Sequence, residues 1–344
     1  MIHIAFLVFL VVIAVATCAM RNLFGASMLF GMYSLVSASF FVVVDAADVA
    51  MTEAAVGAGV STILLLSTLA ATGYTVRRRP PGRQVLAIAV SLAVGGALLY
   101  GTLDMPRFGD PNAPIHLHPI AHHYIEVSPK ETGIPNMVTP LLASYRGYDT
   151  FGEVLVVFTA GIGVLALIGR RRRENGSFAP DDGFVDRTAS RHRVLRVVAK
   201  ALVAPILLYA WYIQAHGDYG PGGGFQAGVV LAAGLMLYML LFGVDRTEEL
   251  IRPRVLECLI AVGVLVYGGV GLLNMAQGGN FLDYRTLAHD EKHALHEGIL
   301  AVELGVGITV AAVMTTILFS FTGHLRNLLG ATVVAGRSEE TRRA

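Results

Sequence analysis

The sequence predicts an all-α, polytopic membrane protein of about nine transmembrane helices, with its N-terminus outside and its C-terminus inside. Hydrophobic residues make up 54% of the 344 residues and charged residues only 15%, whereas soluble domains carry roughly a quarter charged residues. The apolar residues are gathered into stretches long enough to cross a bilayer as helices. The formal net charge of +1 gives no information about nucleic acid, and no basic patch is interleaved with aromatic residues, so we expect no nucleic-acid partner.

Nine stretches have the length and composition of spanning helices. They are 2–20, 23–44, 49–76, 84–103, 150–169, 194–215, 225–243, 255–275 and 297–322. Arginines are concentrated in every second connection and in the tail. Because cytoplasmic loops carry an excess of Lys and Arg, this alternation supports both the count and the orientation. The first stretch has Arg21 after it and no basic residue before it, so we expect a retained helix rather than a secretory signal.

Long polar breaks divide the chain into three predicted modules. The first has three spans, the second has two spans around a large outer loop, and the third has four spans after a cytoplasmic linker and before a polar, mobile cytoplasmic tail. The first module is 1–79, and the second is 80–170 with its loop at 104–149. The linker is 171–193, the third module is 194–322 and the tail is 323–344.

Glycines dominate the stretch H-G-D-Y-G-P-G-G-G-F-Q-A-G, from His216 to Gly228, between the sixth and seventh spans. Glycine permits positive φ and close backbone contact, and proline interrupts a helix. A tight turn and a re-entrant connection both fit this composition, and the orientation favours a tight turn on the outer side. We expect a neighbouring segment to approach the backbone closely, such as the stripe from His289 to Glu303. Six residues form this predicted structural motif: His216, Asp218, Pro221, Gly222, Gly223 and Gly224.

Acidic side chains inside predicted spans are candidates for ion translocation, because an intramembrane carboxyl is costly to bury. Glu53 lies about 8 Å into the third span, at ~1.5 Å per residue, and a position among the lipid headgroups is the alternative. Glu153 ends the sequence Thr150-Phe-Gly-Glu153, which has the form of a capping box, so a purely structural role fits equally well.

Glu303 stands seven residues after His296, on the same face of a predicted helix. Histidine titrates near neutral pH, so such a stripe of His and carboxyl groups would relay protons inward. The alternative is a solvated loop that leads into a helix with one buried carboxyl. Lys200 shares a helix face with Arg196 and either extends to the interface or pairs with a carboxylate inside the membrane.

Other chemistry has little support in the sequence. The outer loop holds four histidines without zinc-site spacing, and no H-E-x-x-H motif, P-loop or nucleophile elbow is present. The two cysteines, Cys18 and Cys258, both lie in apolar stretches and suggest no disulfide framework, haem or iron–sulfur site. We therefore expect no metal, no cofactor and no enzymatic active site.

Three sets of motifs together resemble a known family. Segment 195–322, with the glycine stretch and E-L-G-V-G-I-T-V from Glu303, resembles the MnhB/MrpB subunit of Mrp-type multisubunit cation/proton antiporters. Segment 1–77, with D-V-A-M-T-E-A-A-V-G-A-G from Asp48, resembles the MbhD-like module at the C-terminal end of MrpA. Segment 84–170, with E-T-G-I-P-N-M-V-T-P-L-L-A-S-Y-R-G-Y-D-T-F-G-E from Glu131, is similar to the MbhE-like module.

The resemblance implies a subunit of a complex in the bacterial inner membrane that exchanges Na⁺, or another monovalent cation, for H⁺. Its partners would be the other subunits of that complex, membrane lipid, Na⁺ and H⁺. The family's functional positions would fall on Glu53, Glu153, Glu303 and the glycine motif with His216. The large antiporter-like part of MrpA is absent from this sequence, so we expect no antiport by the chain alone. A membrane-arm subunit of a redox-driven ion pump and a structural scaffold are the alternatives.

Overall fold

The structure, a computed structural model, describes residues 1–76, 81–168 and 193–343. Within these ranges it contains no β-strand, and nine of its helices are long and apolar enough to cross a membrane. The predicted fold class is therefore confirmed, whereas the orientation of the termini stays a prediction. The predicted linker lies outside the described residues except for Arg193.

Residues of the first predicted module form three long helical rods. In chain order these are α1 (Ile2–Ala19), α2 (Leu23–Val43), and a third rod made of α3 (Ala47–Glu53), a π-helical segment (Ala54–Val60) and α4 (Ser61–Thr72). The π-helical segment packs tightly on α2, because a Cβ on Gly57 would overlap the Ser34 hydroxyl. Such single-turn π segments are frequent at functional sites.

Two spans and a folded cap form the second module. The cap covers residues 102–146 and consists of short helical turns, three of which have proline at a first-turn position, where its missing N–H costs nothing. The spans are α5 (Pro81–Gly101) and α10 (Gly147–Ile168). The cap elements are α6 (Pro114–Leu117), α7 (Pro119–His122), a π turn (His123–Val127), α8 (Ser128–Thr132), α9 (Val138–Pro140) and a second π turn (Leu141–Tyr145).

Four spans and one short helix form the third module. They are α11 (Arg193–His216), α12 (Gly224–Phe242), the short α13 (Val244–Leu250), α14 (Pro253–Ala276) and α15 (Glu291–Arg343), with a 3₁₀ turn (Tyr284–Thr286) before α15. Helix α15 begins before the predicted ninth span and continues through the segment predicted as a tail.

Helix α15 lies at the centre of the third module, between α12 and α14. Small residues bring the backbones together: a Cβ on Gly228 would stand 2.7 Å from Gly307 O, and one on Gly263 would stand 2.6 Å from Gly305 O. Helices in lipid associate through close packing of this kind, because burying apolar surface gives no hydrophobic driving force for association there. The buried face of α15 includes Ile299, Val302, Val306 and Val310.

Two buried tyrosines fix the second module to the third. The Tyr267 hydroxyl donates to Gly147 O at 2.8 Å, at the start of α10, and the Tyr284 hydroxyl donates to Ala143 O at 2.7 Å, in the cap. Both donors sit among buried apolar residues. Their loss would leave a backbone carbonyl without its partner in a place that water reaches poorly.

Replacing Tyr284 with Phe is expected to lower the free energy of unfolding by about 1–2 kcal/mol, because the Ala143 carbonyl loses its donor while the ring packing stays. The measurement is the thermal unfolding midpoint of the purified protein in detergent. Tyr284 is 1% exposed and the control, Tyr148→Phe, changes a residue that is 65% exposed. Equal midpoints for the two variants would contradict the assignment.

Candidate functional site

A cavity of about 230 Å³ lies where the three modules meet. Its walls come from α3, from the end of the cap and α10, and from the glycine turn with α12, α14 and α15. Each module contributes one carboxyl to the lining: Asp48 from the first, Glu153 from the second and Glu303 from the third. The cavity therefore gathers acidic groups that are far apart in the sequence.

The glycine stretch forms a tight turn between the end of α11 and the start of α12, and α15 approaches it very closely. Gly223 has a φ of +106°, which favours glycine. A Cβ on Gly223 would stand 3.0 Å from Glu303 Oε1, and a Cβ on Gly224 would overlap Glu303 O outright. No side chain fits at Gly224, so the turn packs its bare backbone against Glu303.

The cap holds the turn through hydrogen bonds from Asn136 and Thr139. Asn136 donates from its backbone N–H to Asp218 O at 3.0 Å, and its Nδ2 donates to Gly217 O and Gly220 O, both at 2.9 Å. Thr139 Oγ1 also donates to Gly217 O, at 2.7 Å. These bonds satisfy the turn's carbonyls and fix its position over the cavity.

The first module contacts the same turn and the start of α12. Gly222 N–H donates to Asp48 Oδ1 at 3.3 Å, and Gln226 Nε2 donates to Thr52 Oγ1 at 2.9 Å. Asp48 and Thr52 are four residues apart on α3 and share a face, which explains why they line the cavity together. The two hydrogen bonds place this face of α3 against the third module.

Replacing Asn136 with Ala is expected to speed hydrogen–deuterium exchange at the backbone amides of residues 213–224, because the turn loses two side-chain donor bonds. The measurement is exchange mass spectrometry on the purified protein. Asn112→Ala changes an exposed asparagine of the same cap and serves as the control. Unchanged exchange in the Asn136 variant would show that the cap does not hold the turn.

A partly exposed histidine pairs with the aspartate of the turn. His296 Nε2 lies 3.2 Å from Asp218 Oδ2, with the side chains 41% and 9% exposed. Burial raises the pKa of Asp218, and the neighbouring His296 opposes that rise. The residue before Asp218 approaches Glu303, since a Cβ on Gly217 would stand 3.3 Å from Glu303 Oε2.

Among the described residues, no ion pair or side-chain hydrogen bond is made by Glu153 or Glu303. The capping box considered for Glu153 is not formed, because α10 begins at Gly147 and Thr150 Oγ1 donates instead to Leu142 O at 2.8 Å. Glu153 lines the cavity and is exposed. Neither carboxyl is therefore neutralised by a basic side chain of the described residues.

Several predicted site residues lie away from the cavity. Glu53 is half-buried and faces α2, where a Cβ on Gly57 would stand 3.0 Å from its Oε1. Lys200 is exposed on α11. His216 stacks on Tyr212, with ring centroids 4.9 Å apart. Pro221 is exposed in the turn.

Sequence reasoning missed Asp48, Thr139, Asn136 and Tyr267. Asp48 stands in an acidic turn before the third span, and its spacing from Thr52 was a usable signal. The others have no signal in one sequence, since an Asn or Thr in a loop and a Tyr in an apolar span are ordinary. In the described ranges, no group of three or more His, Cys, Asp or Glu side chains could hold a metal ion.

Family models match three consecutive parts of the chain. Residues 194–316 match MnhB, a domain related to the MnhB subunit of Na⁺/H⁺ antiporter. Residues 8–74 match MbhD, the D subunit of MBH, and residues 83–182 match MbhE, the E subunit of MBH. The order of these matches along the chain is that of the modules predicted from the sequence.

Curated relatives carry antiporter names. A probable A/B subunit of a K⁺/H⁺ antiporter from Rhizobium meliloti is 29% identical over 347 residues, which cover 91% of this chain and 33% of that protein. The putative antiporter subunit mnhB2 of Staphylococcus haemolyticus is 31% identical over 134 residues, which cover 38% of this chain and 94% of that protein. The chain thus spans about a third of the rhizobial relative and nearly all of the staphylococcal one.

Two solved structures are similar to this one. A chain of the Mrp complex from Dietzia sp. DQ12-45-1b matches with a TM-score of 0.72 and 25% identity, over 92% of this chain and 34% of that chain. A chain of the membrane-bound sulfane sulfur reductase, an archaeal respiratory membrane complex, matches with a TM-score of 0.53 and 31% identity, over 69% of this chain and 97% of that chain.

Proposed function

The chain belongs to the MnhB family of antiporter subunits, and we propose that it is one component of a multisubunit complex that exchanges Na⁺, or another monovalent cation, for H⁺. The observation that supports this most is the cavity at the meeting point of the three modules, with one carboxyl from each. A site shared by all three modules is what a fused chain needs if the modules act together.

The chemistry proposed for the cavity is competition between a proton and a cation for carboxyl oxygens. Monovalent hard cations bind oxygen, and a carboxylate that is not paired with Lys or Arg can take up either species. Cation binding at Glu303, Glu153 and Asp48 then releases a proton, and protonation releases the cation. Hydrogen bonds from the cap keep the glycine turn, and with it the cavity wall, in place during this exchange.

Glu53 and Lys200 have a separate place in the proposal. Both lie away from the cavity, so they would act where this chain meets the larger antiporter subunits. Helices α1 and α5 leave most of their apolar side chains exposed. We propose these helices as the surfaces that dock other subunits and contact lipid. The complex is proposed to lie in the bacterial inner membrane and to transport ions rather than to catalyse a reaction.

A membrane-arm component of a redox-driven pump is the second candidate. The observation that favours it is the likeness to a chain of the archaeal respiratory complex, which this chain covers almost completely. A structural scaffold, whose carboxyls only hold helices together, is the third. It would require the cavity carboxyls to matter for assembly and not for transport.

The test is to purify the complex through a tag on this chain, identify its subunits and reconstitute it into proteoliposomes with a pH-sensitive dye. We expect Na⁺ or K⁺ addition to move protons, and no exchange by this chain reconstituted alone. Iron–sulfur proteins in the purified complex, together with an absence of exchange, would favour the redox-driven pump. A complex that exchanges fully after all three cavity carboxyls are replaced by amides would leave only the scaffold role.

A further inference from the structure

Three titratable groups lie beside the glycine turn. His296 is 41% exposed, its partner Asp218 is 9% exposed, and Glu303 lines the cavity. Gly217, the residue before Asp218, lies against this carboxyl, since a Cβ on Gly217 would stand 3.3 Å from Glu303 Oε2. The pair of His296 and Asp218 therefore lies next to the segment of the turn that contacts Glu303.

We propose that His296 and Asp218 form a proton relay between the solvent on the cap side and Glu303. The relay rests on the proposed function, because it supplies the cavity with the protons that are exchanged. His296 Nε2 gives its proton to Asp218 Oδ2, and Asp218 passes it on to the Glu303 carboxylate. His296 then takes up another proton from solvent. The cavity has room for water beside Glu303, and such water would carry the last step.

This route differs from the stripe along one helix that the sequence suggests. His293, one turn before His296, pairs with Glu297 at 2.9 Å on the solvent side, with side chains 67% and 52% exposed. It makes no hydrogen bond or ion pair with the glycine turn among the described residues. The inward step therefore leaves α15 and passes through Asp218 of the turn.

The surroundings of Asp218 suit a transfer group. The charged or titratable groups that contact the glycine turn from neighbouring elements are His296 and Glu303 from α15, Asp48 from α3 and His216 at the end of α11; the cap contributes uncharged Asn136. No Lys or Arg of the described residues forms an ion pair with Asp218, so no fixed cation holds it ionised. Its raised pKa, caused by burial, lies closer to neutral pH than that of an ordinary aspartate and favours proton transfer.

The experiment compares wild-type, His296→Ala, Asp218→Asn and His293→Ala proteins in the purified complex, with exchange rates measured in proteoliposomes between acidic and alkaline pH. We expect both relay variants to lose about tenfold or more of the rate and the His293 control to keep it. Added imidazole should restore much of the rate to His296→Ala and none to Asp218→Asn, because a diffusing base replaces only the missing imidazole. A purely structural histidine would give no such rescue.

Each remaining outcome has one reading. If the wild-type complex exchanges ions and the His296→Ala rate is unaffected, the relay is overturned and the proposed function stands. The same conclusion follows if His296→Ala and His293→Ala lose rate equally and imidazole restores neither. Absence of exchange in the wild-type complex removes the proposed function and the relay with it.

Discussion

Replacing Glu303 with Gln is expected to reduce cation/proton exchange by the assembled complex at least about a hundredfold, the range lost when a positioned proton carrier is removed. Glu303 lines the cavity and is the carboxyl against which the glycine turn packs. Glutamine keeps the shape and the packing but can no longer take up or release a proton. The measurement is cation-driven proton movement in proteoliposomes.

The control for this variant is Glu297→Gln, on the same helix two turns nearer the solvent. Glu297 is half exposed and pairs only with His293 in the described structure, so its loss should leave exchange intact. Subunit composition after purification shows whether each variant assembles. A Glu303→Gln complex that assembles and exchanges at the wild-type rate would remove Glu303 from the ion path, whereas a failure to assemble would favour the scaffold.

Family membership and fold class were predictable because they depend on local and compositional signals. Spanning helices need apolar length, which the sequence shows directly. The glycine stretch, the motif from Asp48 and the motif from Glu131 predicted the family, and the matches to MnhB, MbhD and MbhE confirm it. Glu303 and Glu153 were singled out because a carboxyl in an apolar span is unusual.

The cavity itself was not predictable, since it depends on how three modules pack. Asp48 reaches it only because α3 lies against the start of α12, through the Thr52–Gln226 hydrogen bond. Asn136 reaches the turn across more than 80 residues of sequence, a separation that no local pattern encodes. The capping box failed for the opposite reason: the local pattern was present, but α10 already begins at Gly147, ahead of Thr150.

Among glycine-to-alanine substitutions in the third module, Gly224→Ala is expected to perturb the structure most. A Cβ at this position would overlap Glu303 O and stand 2.8 Å from Glu303 C and 3.0 Å from Val306 Cβ. Two of these three atoms are backbone, so no rotamer change relieves the clash. Helix α12 must move away from α15, which costs about 1–3 kcal/mol or more and shifts the wall of the cavity.

The control makes this prediction sharp, because helix propensity acts in the opposite direction. Alanine is favoured over glycine inside a helix by about 1 kcal/mol, so Gly269→Ala on α14, where a Cβ meets nothing within 4 Å, should be neutral or stabilising. Gly224→Ala should instead lower the thermal midpoint, reduce recovery of the assembled complex and slow exchange in what remains. Equal midpoints for the two variants would mean that α12 and α15 do not depend on backbone contact at Gly224, and the cavity wall would then need another support.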